Sequence, residues 1–221
     1  MEGLKSYYPV YLDLNGRLAV VIGGGHVAER KVKTLLRHGA QVLVVSPEVG
    51  PDLELLEDEC AVTVERRGYV RGDLENAFVV VCATDAPEVN RAVFEEAEDR
   101  GCLVNVVDVP ELCNFIVPSI VHRGPFQIAI STAGAAPAVA KRVRKRLSEE
   151  FGDEWGAYVM LMGQVRTLVM ERVPDAAERK RMFEAMADSD LLARIAAGET
   201  PAAEKVFTQF APVAGGQEPQ A

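Results

Sequence analysis

The chain has 221 residues, 48% of them hydrophobic, enough for one large domain or a medium domain with an appendage. Lys and Arg number 24 against 33 Asp and Glu, a formal net charge of -9, the opposite balance from a general nucleic-acid binder. Four scattered cysteines with no CxxC pair, beside three histidines, exclude a zinc cluster or disulfide framework and fit a reducing, cytoplasmic setting.

RLAVVIG (17–23) reads as a buried strand. HVAERKVKTLLRHG follows as a helix, with Ala28, Val32, Leu35 and Leu36 at helical spacing and Gly39 as its stop. QVLVVS (41–46), VTVERR (62–67) and FVVVCAT (78–84) are further strands, APEVNRAVFEEAEDRG (86–101) a helix, and LVNVVD (103–108) the closing strand. Strands apolar throughout and separated by helices predict a parallel sheet covered on both faces.

Beyond Asp108 the pattern changes. FIVPSIVHRGPFQIAIST (115–132) reads as two β segments joined at His122-Arg123-Gly124-Pro125, and Pro118 inside the first implies an edge strand or a bulge. AGAAPAVAKRVRKRLSEEF (133–151) predicts a helix with Pro137 in its first turn. From Gly152 to about Phe210 the composition is helical, and APVAGGQEPQA has little to bury and is expected to be disordered. No apolar run approaches the ~20 residues of a membrane span. The expected architecture is a Rossmann-type α/β domain over 1–114, a small α+β segment over 115–151, a helical region over 152–210 and a tail over 211–221.

VVIGGGHVAERK sets Gly23-x-Gly25-x-x-Ala28 between a strand and a helix, the context a dinucleotide fingerprint requires. Gly23 permits the tight turn, Gly25 lets the backbone approach a pyrophosphate, and Ala28 allows close helix–sheet packing. The helix N-terminus offers N–H groups and partial positive charge to the phosphates. Gly23, Gly24, Gly25, His26 and Val27 are therefore candidates to hold a cofactor; a bare βα turn without ligand is the alternative. An NAD site carries an acidic residue closing the second strand for the ribose hydroxyls. Here the sequence departs from that pattern, the strand ending at Ser46-Pro47 with Glu48, the candidate for that role, just beyond. No Arg or Lys stands there for a 2′-phosphate, which favours NAD over NADP. Thr84 and Asp85 end the fourth strand beside the expected crevice; the competing reading of Asp85 is a helix cap.

YPVYLDLNGRLAVVIGGGHVAERK, CATD, NVVDVPELCNFIVPSIV and ISTAGAAPAVAKRVR, in order over residues 7–150, resemble the siroheme-synthase dehydrogenase/ferrochelatase module. The resemblance implies NAD-dependent oxidation of precorrin-2 to sirohydrochlorin, ferrous iron insertion in many members, and a homodimer. It also implies a central dimerisation segment, and it makes Asp108 the catalytic aspartate, a general base for the dehydrogenation. A buried strand gains nothing from a carboxylate, and one at a strand end can take the proton that such an oxidation releases. Its alternative is bonding to nearby backbone N–H groups. Asn105 and Asn114 flank it as candidate substrate contacts.

Precorrin-2 carries many carboxylates, and a net-negative protein needs a local positive cluster to bind it. Lys141, Arg142, Arg144, Lys145 and Arg146 supply one, and Ser131 and Thr132 precede it in a loop where the family has substrate contacts. A solvated helix face paired with Glu149 and Glu150 is the alternative. No set of His, Cys and Glu has metal-ligand spacing. Two rivals differ in class: a non-enzymatic NAD sensor of the same fold, and a dehydrogenase of a small hydroxy acid.

Overall fold

The computed structural model describes residues 5–212 and divides into two compact units. One runs up to Val117 and includes Ala133–Ala135; the other holds Pro118–Thr132 and the chain from Ala136 on.

The first unit is built on five parallel strands: β1 (Leu18–Ile22), β2 (Gln41–Val45), β3 (Val62–Glu65), β4 (Val79–Cys82) and β5 (Leu103–Val106). Their order is β3-β2-β1-β4-β5. All four residues of β4 are buried, because helices cover both faces of the sheet. On one side α1 (His26–Arg37) packs Ala28, Val32 and Leu35 against Ala19, Val21, Val42, Val44 and Val81. On the other, α3 (Pro87–Arg100) packs Val93 and Ala97 against Val20, Val80 and Val104. Each such valine stabilises the unit by roughly 1.5–3 kcal/mol.

Two sequence expectations change here. The 51–58 stretch, given no element by the sequence, is a helix, α2 (Pro51–Asp58), with Pro51 in its first turn and only Leu53 buried. Strand β5 stops at Val106, so Asp108 lies two residues beyond it. The loop between β3 and β4 is held by carboxylates: Asp73 takes both Nη atoms of Arg67 at 2.8 Å, and Glu96 of α3 accepts from Gly72 N–H.

In the second unit β6 (Ser119–Arg123) and β7 (Phe126–Ile130) form an antiparallel hairpin around Gly124-Pro125, with Gly124 at φ +57°. Pro118 precedes β6 rather than interrupting it, so no bulge is needed. Helix α4 spans Pro137–Glu150, four residues later than the sequence implied, because Ala133 and Gly134 take left-handed φ values of +51° and +80°. Arg123 closes its C-terminus by donating to the carbonyls of Ser148 and Phe151. Phe126, Phe151, Trp155 and Tyr158 form a ring cluster with centroids 5.1–6.4 Å apart. The remaining helices are α5 (Glu154–Arg172), α6 (Ala176–Ala187), α7 (Leu191–Ala196) and α8 (Ala203–Phe210). They share a core of Leu161, Val165, Val169, Met182, Met186, Leu191 and Val206. Of the expected 211–221 tail, residues 213–221 lie outside the described residues. Among the described residues no helix is long and apolar enough to cross a membrane.

Candidate active site

Val45, Ile22, Cys82 and Val106 stand in one row across β2, β1, β4 and β5. Gly23, Ala83 and Val107 continue the ladder one step, donating to the carbonyls of Val45, Ile22 and Cys82 at 3.0, 2.8 and 2.8 Å. Four chain segments therefore leave the sheet at one level. That edge gathers Gly23–Val27, Ser46–Glu48, Thr84–Asp85 and Asp108.

The three glycines do different things. Gly23 has φ +114°, and a Cβ there would lie 2.3 Å from the Ala83 carbonyl oxygen. Gly24 laces the first loop to the second: its carbonyl accepts from Gly50 N–H at 2.9 Å, and a Cβ would meet the Glu48 carbonyl oxygen at 2.0 Å. Gly25 is the N-cap of α1, where a Cβ would meet nothing within 4 Å. No side chain caps this helix, so its first N–H groups face that open space without an intrahelical partner. The cradle fits the pyrophosphate of a dinucleotide. His26 is exposed there, its Nδ1 3.6 Å from Glu29 Oε2, and Val27 is 37% exposed. Glu29 would repel a phosphate, but Lys33 sits 2.8 Å from it and also reaches Asp52 of α2.

Ser46 is buried and donates from Oγ to the Glu48 carbonyl at 2.6 Å, so it shapes the loop. Pro47 and the Glu48 side chain are exposed. Thr84 Oγ1 accepts from Ala86 N–H at 2.9 Å and Asn90 donates to the Thr84 carbonyl. Asp85 therefore does not cap α3, whose N-cap is Ala86; it is exposed beside the cradle. Burial pushes the Cys82 thiol up to about 12, which keeps it inert beneath the site.

Asp108 adopts φ +60°, a left-handed conformation that Asp tolerates more readily than most residues and that carries strain of order 1 kcal/mol. It is exposed, and among the described residues its carboxylate accepts no hydrogen bond, so the backbone-bonding alternative fails. The two asparagines beside it are committed elsewhere. Asn114 Oδ1 accepts from Val104 N–H at 2.8 Å, and its Nδ2 donates to the Cys102 carbonyl and to Glu98. Asn105 Nδ2 donates to the Phe115 carbonyl at 3.2 Å. Both fasten residues 113–115 along the edge of β5, which leaves Asn114 no free donor for a substrate.

One residue that the sequence reading did not single out belongs to this edge. Lys31 follows Ala28 and precedes Val32 on the sheet-facing side of α1, is half-buried, and lies in the field of Asp108 and Cys113. Burial, then the neighbouring Arg30, lowers its pKa against the opposing pull of those two groups. The apolar spacing of α1 was the signal that turned it inward.

In the second unit Ser131 is exposed, and Thr132 Oγ1 accepts from Ala136 N–H at 3.2 Å, just before α4. Lys141, Arg142, Lys145 and Arg146 are exposed and Arg144 half-exposed. None of the five forms an ion pair among the described residues, so the pairing with Glu149 and Glu150 is not made. Among the described residues no group of three or more His, Cys, Asp or Glu is arranged to hold a metal ion.

A 3-2-1-4-5 parallel sheet with a glycine cradle at its carboxyl edge defines a dinucleotide-binding protein of the Rossmann type. Sequence families agree along the chain: "Putative NAD(P)-binding" matches residues 10–119, "Sirohaem biosynthesis protein central" 123–150, and "Sirohaem synthase dimerisation region" 154–210. The siroheme synthase of Thioalkalivibrio sulfidiphilus is 37% identical over 202 residues, 91% of this chain and 41% of the relative. That of Pseudoalteromonas translucida is 38% identical over 200 residues, 90% and 42% respectively. The chain thus spans about two fifths of these relatives. A solved structure titled "SirC, precorrin-2 dehydrogenase" superposes with a TM-score of 0.77 at 28% identity, covering 92% of this chain and 98% of that one. The chain belongs to the family of the siroheme-synthase N-terminal module, and its sheet domain is of the NAD(P)-binding type.

Proposed function

We propose that the protein oxidises precorrin-2 to sirohydrochlorin with NAD as acceptor. The observation that carries this reading is Asp108: an exposed carboxylate on a left-handed backbone, without a hydrogen bond among the described residues, on the same sheet edge as the glycine cradle. The likeness to the precorrin-2 dehydrogenase structure supports the substrate.

The N–H groups at the start of α1, with Gly23, Gly24, Gly25, His26 and Val27, hold the pyrophosphate. Glu48 accepts from the adenosine ribose hydroxyls, which favours NAD, while Ser46 and Pro47 shape that loop and Thr84 and Asp85 border the crevice. NAD, when bound, supplies the hydride acceptor. The oxidation releases a hydride and a proton, and Asp108 takes the proton. The same carboxylate is suited to accept pyrrole N–H protons during insertion of ferrous iron, a substrate here, into sirohydrochlorin. Ser131, Thr132, Lys141 and Arg142 are the proposed contacts to substrate carboxylates, supported by the basic charges of α4 that form no ion pair among the described residues.

Residues 1–114 form the cofactor domain, 115–151 the dimerisation and substrate segment, and 152–210 a helical domain that completes a cytoplasmic homodimer, in keeping with the dimerisation family matched there. Asp108→Asn tests the assignment. It should abolish conversion of precorrin-2 while leaving NAD affinity within about twofold, since the cradle is built from the loop that leads into α1 and not from Asp108. Unchanged turnover would remove Asp108 from the chemistry, and a wild type that binds NAD but converts no precorrin-2 would favour a protein that senses NAD.

A further inference from the structure

We propose that Lys31 binds a carboxylate of the tetrapyrrole beside Asp108, an inference that rests on the functional reading above. Its ammonium is half-buried on the inner side of α1, yet it makes no hydrogen bond or ion pair among the described residues. Two residues on, Lys33 is held by Glu29 and Asp52. Partly burying an ammonium without a hydrogen-bonded anion is unfavourable, and the fold gains nothing from it unless an anion arrives.

The groups facing Lys31 do not supply that anion. Arg30 on its own helix repels it, and Cys113 is a buried thiol whose pKa burial raises, so it stays uncharged near neutrality. Lys5 donates to the carbonyls of Pro110 and Cys113, adding positive charge, and Glu111 acts on Cys113. Asp108 attracts Lys31 from a distance without direct contact. A substrate rich in acetate and propionate groups, with its reacting carbon at Asp108, brings a carboxylate into that space. The lysine then both recognises the substrate and fixes which edge of the macrocycle faces the base.

The test compares the wild-type protein with Lys31→Gln and Lys31→Arg in two titrations, anaerobic sirohydrochlorin followed by its absorbance and NAD followed by calorimetry. Lys31→Gln should weaken sirohydrochlorin about tenfold and leave NAD affinity within about twofold, while Lys31→Arg retains both. Because burial lowers the pKa of Lys31, wild-type affinity should decline at alkaline pH before that of Lys31→Arg does. Equal sirohydrochlorin affinity in wild type and Lys31→Gln overturns the inference and leaves the functional reading standing. So does a loss confined to NAD, which would assign the lysine to the pyrophosphate. A wild type that binds NAD but no sirohydrochlorin overturns the functional reading itself.

Discussion

Replacing Gly25 with alanine separates the ligand from the fold. Its φ of -80° and ψ of -178° suit any residue, and the added Cβ would meet no atom within 4 Å. Losing glycine at an N-cap costs roughly 0.5–1 kcal/mol. For a chain of this size that lowers Tm by only about 1–4 °C. The same methyl group, however, stands where the pyrophosphate must approach the backbone, so NAD affinity should fall at least about tenfold, or ~1.4 kcal/mol. Gly24→Ala acts first on the fold. Its Cβ would lie 2.0 Å from the Glu48 carbonyl oxygen, well inside the ~3.5 Å of ordinary contact, so the second loop must retreat by over an ångström. That breaks the Gly50–Gly24 bond and strains the Ser46–Glu48 bond, a loss of about 2–4 kcal/mol with the distortion included. Scanning fluorimetry for Tm and calorimetry for NAD read the two effects separately. A Gly25→Ala protein that binds NAD like wild type would refute the cradle, and a Gly24→Ala protein as stable as wild type would refute the lacing of the loops.

Glu96 is 1% exposed and accepts from Tyr69 OH at 2.5 Å, Gly72 N–H at 3.0 Å and Arg100 Nε at 2.6 Å. Burial raises its pKa, but these donors outweigh burial and hold it below the usual carboxylate range. Glu96→Gln should cost roughly 2–4 kcal/mol in denaturant unfolding of the first unit, because an amide presents donors to donors. A folded pKa below the unfolded value means that the contribution of Glu96 is complete above the unfolded pKa, about 4.3, and is lost as pH falls through the folded one. Unfolding in acid should therefore be less steep in Glu96→Gln than in wild type. Glu48 carries the choice of cofactor: NAD should bind at least about tenfold more tightly than NADP, and Glu48→Arg should narrow or reverse that ratio in paired titrations. A wild type indifferent to the 2′-phosphate would remove Glu48 from the site.

What the sequence made legible was local. The glycine loop, the apolar strands and the turn at Gly124-Pro125 each declare themselves within a few residues. A parallel sheet follows from apolar strands separated by helices, whereas its 3-2-1-4-5 order is set by the pairing of distant strands. Helix α2 escaped notice because a single buried Leu53 leaves almost no periodicity, although Pro51 marked its start. The fates of Asn105 and Asn114 were hidden because their partners, the chain at 102–104 and at Phe115, come beside them only when residues 113–115 fold back on β5. Asp85 and Thr84 sit side by side with similar hydrogen-bonding chemistry, and the backbone geometry gives the turn before α3 to Thr84 while no side chain caps the helix. Lys31 read as one more charge on an amphipathic helix; its meaning depends on Asp108, which lies 77 residues along the chain.

Anaerobic absorbance spectroscopy of the purified protein with precorrin-2, with and without NAD, tests the central claim most directly. The account predicts the sirohydrochlorin spectrum only when NAD is present. Sirohydrochlorin forming at equal rates without NAD, or no conversion by protein that demonstrably binds NAD, would contradict it.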